Sequence, residues 1–392
     1  MQIESFALER WMTRWELDVD YDIAESGILP LSLDELFGLL GEQIAAETDR
    51  ELRRMSLGYS EARGTEALRS VLAATYARAD LDDILVTTGA IEANFLIFHS
   101  LLRAGDHVIS VSPAYQQLHS VPRSIGAELS LWDVTSPDGF AYDLDKLESL
   151  LRPDTRMIVL NSPHNPTGAM LSQDQLRDVV SLAERSNAWI LSDEAYRWLE
   201  HPGGETLPVP LHDISERAIS VGTLSKPFGL PGLRVGWFAA PAEVARKGWG
   251  LRDYVSLSPA KISDVLARTV IEHRDKILPR NDAIIAGNLE TARAWFAENA
   301  DLADWNEPKA GLLAMMRYHL PVDSATLANG LARDARVMLA PGSTFGLEHH
   351  LRIGIGQRQD LFAEGLRRAG AYMRSARFSP TDRRTGRTVI VP

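Results

Sequence analysis

No cysteine occurs among the 392 residues, which excludes disulfides, thiolate catalysis and cysteine-ligated metal sites. Positive charge is in short supply: 41 Lys and Arg stand against 53 Asp and Glu, a formal net charge of −12. A surface of that sign repels nucleic acid and anionic membranes, so neither is an expected partner. No run approaches the roughly 18 uninterrupted apolar residues of a membrane span, and the opening "MQIESFALERW" has no basic stretch followed by an apolar one. A cytoplasmic location is the expectation. No G-x-G-x-x-G follows a strand-like run, which disfavours a nicotinamide-dependent dehydrogenase.

What is present is a globular composition, 45% hydrophobic and 24% charged, which argues against disorder. The length exceeds what one ordinary hydrophobic core takes, so two domains, or one large α/β domain with an appendage, are expected. Short apolar, β-branched runs recur at 82–89, 106–113, 157–163, 188–196 and 218–226, and amphipathic stretches such as "SQDQLRDVVSLAERSN" separate most of them. Continuous apolar strands alternating with helices predict an α/β fold with a mostly parallel sheet covered on both faces. The stretch 263–299 reads as helix broken once, at Pro279. Strand-like runs at 311–320 and 351–356 suggest a smaller α+β domain. The expected division is an N-terminal segment, 1–41, packing with the small domain, a large domain, 42–275, and a small domain, 276–392, ending in a basic tail.

In open α/β sheets, ligands bind at the carboxyl ends of the strands. In "TTGAIEAN" the amides of Gly89, Ala90 and Ile91 either cradle an anion at a helix start or form a plain strand-to-helix turn. "SPAYQQ" places Tyr115 to cover a flat ligand or simply to pack. "NSPHNPTG" sets Asn165 between two prolines in a turn. "LSDEAY" ends a very apolar strand with Asp193, three residues before Tyr196; that carboxylate either meets a cation or caps a helix. "GTLSKPFGLPGLRVGW" holds Lys226 beside Thr223 and Ser225, then Arg234, a cationic fork suited to phosphate. Together these parts describe a ligand with a phosphate, a flat ring, a ring nitrogen that needs a carboxylate, and an aldehyde that needs a lysine. Pyridoxal 5′-phosphate (PLP) is such a ligand.

In their order along the chain these segments, with "LRIGIG", resemble the fold-type I, class I/II aminotransferase family, and the resemblance runs from about Leu57 to Gly370. It implies that Lys226 forms the Schiff base with PLP and acts as base, that Asp193 partners the pyridine nitrogen, and that Asn165 and Tyr196 contact the ring oxygen. Tyr115 would stack on the ring. Thr223, Ser225, Arg234 and the Gly89–Ile91 amides would hold the phosphate. Tyr59, in "GYSEARGTEALR", would reach the phosphate of the other subunit, implying a homodimer with shared sites. Arg352 would clamp the substrate α-carboxylate, with Asn165 and Gly27 also on the substrate side.

The N-terminal stretch "LERWMTRWELDVDYDIAESGILPLSLDEL" departs from that family's usual glycine-x-proline start. It is similar to the capreomycidine synthase branch, which cyclises 3-hydroxyarginine instead of transaminating, so both outcomes stay open. No second arginine suited to an acidic substrate stands out. If the stretch is extended, Asp18, Asp20 and Asp22 share one face, either as a wall for a cationic side chain or as a solvated acidic face. A reading from another class is a ligand sensor built on the same fold. Such proteins carry a basic winged-helix domain ahead of it, whereas this chain begins almost directly with the fold.

Overall fold

The apolar runs become the inner strands of a seven-stranded sheet. The computed structural model describes residues 2–136, 139–375, 377–378 and 390–391; Asp382, Arg383, Arg384 and Arg387 of the basic tail lie outside the described residues. The sheet strands are β1 (Ile84–Thr87), β2 (His107–Ser112), β3 (Glu128–Asp133), β4 (Thr155–Asn161), β5 (Trp189–Asp193), β6 (Ala218–Thr223) and β7 (Gly236–Ala239). Their spatial order is β1-β7-β6-β5-β4-β2-β3. Every pair is parallel except those that β7 makes with β1 and β6. Every residue of β5 and β6 is buried, as expected of strands covered by helices on both faces.

Two of these strands escape the sequence reading for physical reasons. β3 lies at an edge and buries Trp132 alone, so its run is not continuously apolar. β7 follows a glycine- and proline-rich stretch and runs antiparallel, outside the alternation of strand and helix. Its direction has a consequence. Gly236 pairs with Thr87 and Thr223, the last residues of β1 and β6, so Arg234 lies at the same sheet edge as the ends of the parallel strands.

The smaller sheet consists of β8 (Ala303–Trp305), β9 (Leu313–Tyr318), β10 (Ala340–Pro341) and β11 (His350–Gly354), in the order β8-β9-β11-β10, all antiparallel. Its core takes in Ile23 and Ile28 from the N-terminal stretch and Tyr196 and Leu199 from beyond β5. Tyr21–Asp22 pairs in parallel with Val337–Met338. The predicted long helix is broken at His273 instead of Pro279: one helix spans Lys261–Glu272 and the next Arg274–Glu298, with Pro279 inside it. Proline forgoes one ladder hydrogen bond, and buried Ile277, Asn281 and Ile285 hold the helix on either side of it.

An N-terminal helix, α1 (Ala7–Trp15), had no counterpart in the sequence reading. Leu8 and Met12 pack with Ala24, Met338, Ala340 and Phe345, while the indole N–H groups of Trp11 and Trp15 both donate to Asn329 Oδ1. On the other side Ala7 N donates to Gln116 Oε1, and Ser120 Oγ to Glu4. This first segment therefore bridges the two sheets' layers across the opening between them. Among the described residues no helix is long and apolar enough to cross a membrane.

Candidate active site

Below α1 the carboxyl ends of the parallel strands and the face of β11 enclose an open cavity of about 480 Å³. Lys226, Asp193, Tyr196, Gly89, Ala90, Ile91, Tyr115, Asn165, Thr223, Ser225, Arg234 and Arg352 all line it. Two predicted residues do not. Gly27 lies just behind, against Ser225 and the Lys226 side chain. Tyr59 is 84% exposed on the outside of the chain.

The turn between β1 and the helix Ala90–Leu101 explains its glycine. Gly89 has φ +78°, and a Cβ there would sit 2.7 Å from Arg234 Nη2. A side chain would thus occupy the space the guanidinium fills. Thr223 Oγ1 donates to Val235 O at 3.0 Å and accepts from Ser225 N at 3.1 Å, which fixes the hydroxyl pair beside Arg234. The Gly89 N–H, expected to face an anion, instead donates to Thr87 O at 2.9 Å in the tight turn. The hydroxyls, the guanidinium and the Ala90 and Ile91 amides at the start of the helix form an anion cradle.

Asp193, at the end of β5, is 6% exposed. It accepts from Asn94 Nδ2 at 2.9 Å and from Ala195 N at 3.1 Å. Burial pushes its carboxyl pKa up against the opposing pull of Asn94, the Ala195 N–H and Lys226. A cation placed in the cavity would reverse that cost. Asn161 Nδ2 donates to Asp193 O at 2.7 Å, and its Oδ1 accepts from Asn165 N at 2.7 Å, so one asparagine sets the spacing of two loops. Arg352 is 2% exposed. It donates to Ala24 O at 2.8 Å and to Asn165 Oδ1 at 3.3 Å, while its Nε has no partner. A buried guanidinium with an unsatisfied donor fits a carboxylate ligand.

Asn94 belongs to the quoted "TTGAIEAN", where it stands one helical turn beyond Ala90, and that spacing could have singled it out. Gln117 holds the same network, donating to Ile91 O at 2.5 Å. Glu9, on α1, accepts from Tyr115 Oη at 2.8 Å. Lys226 Nζ donates to Ser26 Oγ at 2.8 Å and lies 3.6 Å from Glu25 Oε1.

The acidic stretch is arranged differently from the expectation. Asp18, Asp20 and Asp22 do not line the cavity; Glu9, Glu16 and Glu25 do. The chain turns after Trp15 instead of running extended. Asp20 pairs with Arg336 at 3.1 Å, and Asp22 Oδ1 accepts from the backbone of Ala24 and Glu25. A second arginine is also present: Arg10, exposed on α1, lines the mouth.

The chain belongs to the class I and II aminotransferase family, whose model matches residues 29–368. It is therefore an enzyme of a PLP-dependent family, and the anion cradle, the buried carboxyl and the lysine fit that cofactor. Capreomycidine synthase of Streptomyces vinaceus is 32% identical over 361 residues, 92% of this chain and 91% of that protein. A PLP-dependent aminotransferase from Streptococcus suis superposes with a TM-score of 0.90 at 33% identity, covering 95% of this chain and 98% of the other. The PLP-dependent cyclase OrfR gives a TM-score of 0.87 at 31% identity, with 95% and 98% of the two chains covered.

Proposed function

We propose that this enzyme removes the amino group of an α-amino acid with a cationic, arginine-like side chain by transamination. Lys226 carries PLP and, once displaced, acts as base at Cα. Asp193 partners the ring nitrogen, Asn165 and Tyr196 hold the ring oxygen, and Tyr115 covers the ring. Thr223, Ser225, Arg234 and the Ala90 and Ile91 amides hold the phosphate, and Arg352 takes the substrate α-carboxylate. When bound, the cofactor supplies an electron sink for the charge released at Cα.

The substrate class rests on the charge left over in the cavity. With those groups engaged and Glu25 beside Lys226, Glu9 and Glu16 remain against Arg10 alone. A substrate panel read by cofactor absorbance and product mass tests this. Arginine and its β-hydroxylated relatives should turn over best; a preference for aspartate, glutamate or aromatic amino acids overturns it.

A second reading, loss of a β-substituent followed by ring closure, is favoured by the names of two similar proteins, a capreomycidine synthase and a PLP-dependent cyclase. Transamination accumulates the amine form of the cofactor with amino acid alone, whereas cyclisation of a hydroxyarginine retains its nitrogen and loses water.

The working unit we propose is a homodimer in the cytoplasm, each site completed by Tyr59 of the neighbouring subunit. Exposed Leu57 and Tyr59 adjoin a second exposed apolar stretch, Tyr254, Val255, Leu257 and Ile262, and Lys261 Nζ donates to Ser56 O at 3.1 Å between them. Within each chain the division into an N-terminal segment, 1–41, a large domain, 42–275, and a small domain, 276–392, would let the small sheet and α1 close over the substrate.

A further inference from the structure

Beside Lys226 stands an ionisable group for which the proposed chemistry names no role. Glu25 Oε1 accepts from Ser26 N at 2.8 Å and Gly27 N at 2.9 Å, so the carboxylate is fixed on its own turn. Asp22 Oδ1 holds that turn through Ala24 N and Glu25 N at 2.9 and 3.1 Å. The turn is in turn pinned to the lysine loop, because Ile28 N donates to Lys226 O at 3.2 Å. Carboxylate and ammonium are thereby held 3.6 Å apart by backbone on both sides. Among the described residues no other carboxylate pairs with Lys226.

We propose that Glu25 is the counter-ion of Lys226, a positioning residue that keeps the lysine nitrogen protonated while it carries the cofactor. The inference rests on Lys226 being that lysine. The other charged or titratable groups around this end of the cavity are Asp193, Tyr196, Tyr115, Arg352 and Arg234 on its walls, and Asp22 on the Glu25 turn itself. Asp193 is occupied by Asn94 and the Ala195 N–H, and both arginines act in the opposite sense. Burial pushes the Glu25 pKa up, but Lys226, Arg352 and the two N–H donors outweigh it and hold the group below the usual carboxylate range. It is an anion at neutral pH. A positive nitrogen at the lysine linkage draws electrons from the carbon that the substrate's amino group must attack, and a fixed anion beside it preserves that charge.

The test is a pH titration of the visible absorbance of the holoenzyme, which reports protonation of the linking nitrogen without turnover. Removing an opposite charge at this distance should lower the apparent pKa by about 1–2 units in Glu25→Gln. Glu25→Asp, which retains the charge but withdraws it, should show a smaller fall. Lys226→Ala should lack the titrating band altogether. If Lys226→Ala keeps that band, the lysine assignment fails and this proposal with it. If Lys226→Ala loses the band while Glu25→Gln titrates within about 0.3 unit of wild type, the proposal alone is overturned. Should Glu25→Gln not fold, the Glu25→Asp titration decides: a fall supports the counter-ion, and an unchanged or higher value refutes it.

Discussion

Replacing Asp193 by Asn isolates one electrostatic contribution with little change of shape. The amide is the same size; its oxygen can keep the Ala195 N–H, which reaches Oδ1 at 3.1 Å, while the amide nitrogen at the Oδ2 position meets Asn94, now donating at 2.9 Å, and pairs with it once Asn94 turns its unpartnered Oδ1 inward. What disappears is a charge at a position 6% exposed, where water screens little. A close pair of unit charges at an effective dielectric near 20 is worth about 4 kcal/mol, an upper bound. The difference between a charged and a neutral hydrogen bond, about 1–1.5 kcal/mol, is the lower one. Asn94 and the Ala195 N–H already spread part of the charge, so the expected loss lies between, at about 2–3 kcal/mol. That is a thirty- to more than a hundredfold slowing of proton removal at Cα. Exchange of the substrate Cα hydrogen with deuterated solvent reads the step directly, and absorbance checks that cofactor remains bound. A rate within a few-fold of wild type would refute the pairing and leave Asp193 as a cap.

Two further outcomes are expected. Mixing Lys226→Ala with Tyr59→Phe chains should raise activity above either parent, because heterodimers contain one site without either lesion. Tyr59→Phe alone should be about ten- to a hundredfold impaired by loss of a charged hydrogen bond of about 1.5–3 kcal/mol, and absence of complementation or a monomer in sedimentation counts against the shared site. Burial raises Asp22 from 3.8 to about 6, so the folded state binds the proton more tightly than the unfolded chain. That contribution is full below pH 4 and is lost as pH rises through about 6. Asp22→Asn should therefore gain on the order of 1–3 kcal/mol of relative stability between pH 3.5 and 7. Parallel denaturation curves for the two proteins across that range would contradict this.

The part of the cavity proposed for the cofactor was legible because each part sits at the end of an apolar strand, where sequence order and spatial order coincide. Asp193, Lys226 and Gly89 needed only the strands to be recognised. The part proposed for the substrate was not. Glu9 and Arg10 reach the cavity on α1, a helix whose apolar pairs Leu8–Met12 and Trp11–Trp15 were visible at i, i+4 spacing but which carries no side-chain cap to announce it. The acidic stretch misled because alternation assumes extended backbone, and the turn after Trp15 breaks that phase. Only tertiary contact brings Glu25 to Lys226, 201 positions later, and no local pattern encodes it.

The most direct test of the account is to reduce the cofactor–lysine linkage with borohydride and map the labelled peptide. The chain has six lysines, and Lys226 alone among them lines the cavity. The account predicts one label per chain, on Lys226, and none in Lys226→Ala. A label on any other lysine, or a labelled Lys226→Ala protein, would contradict it.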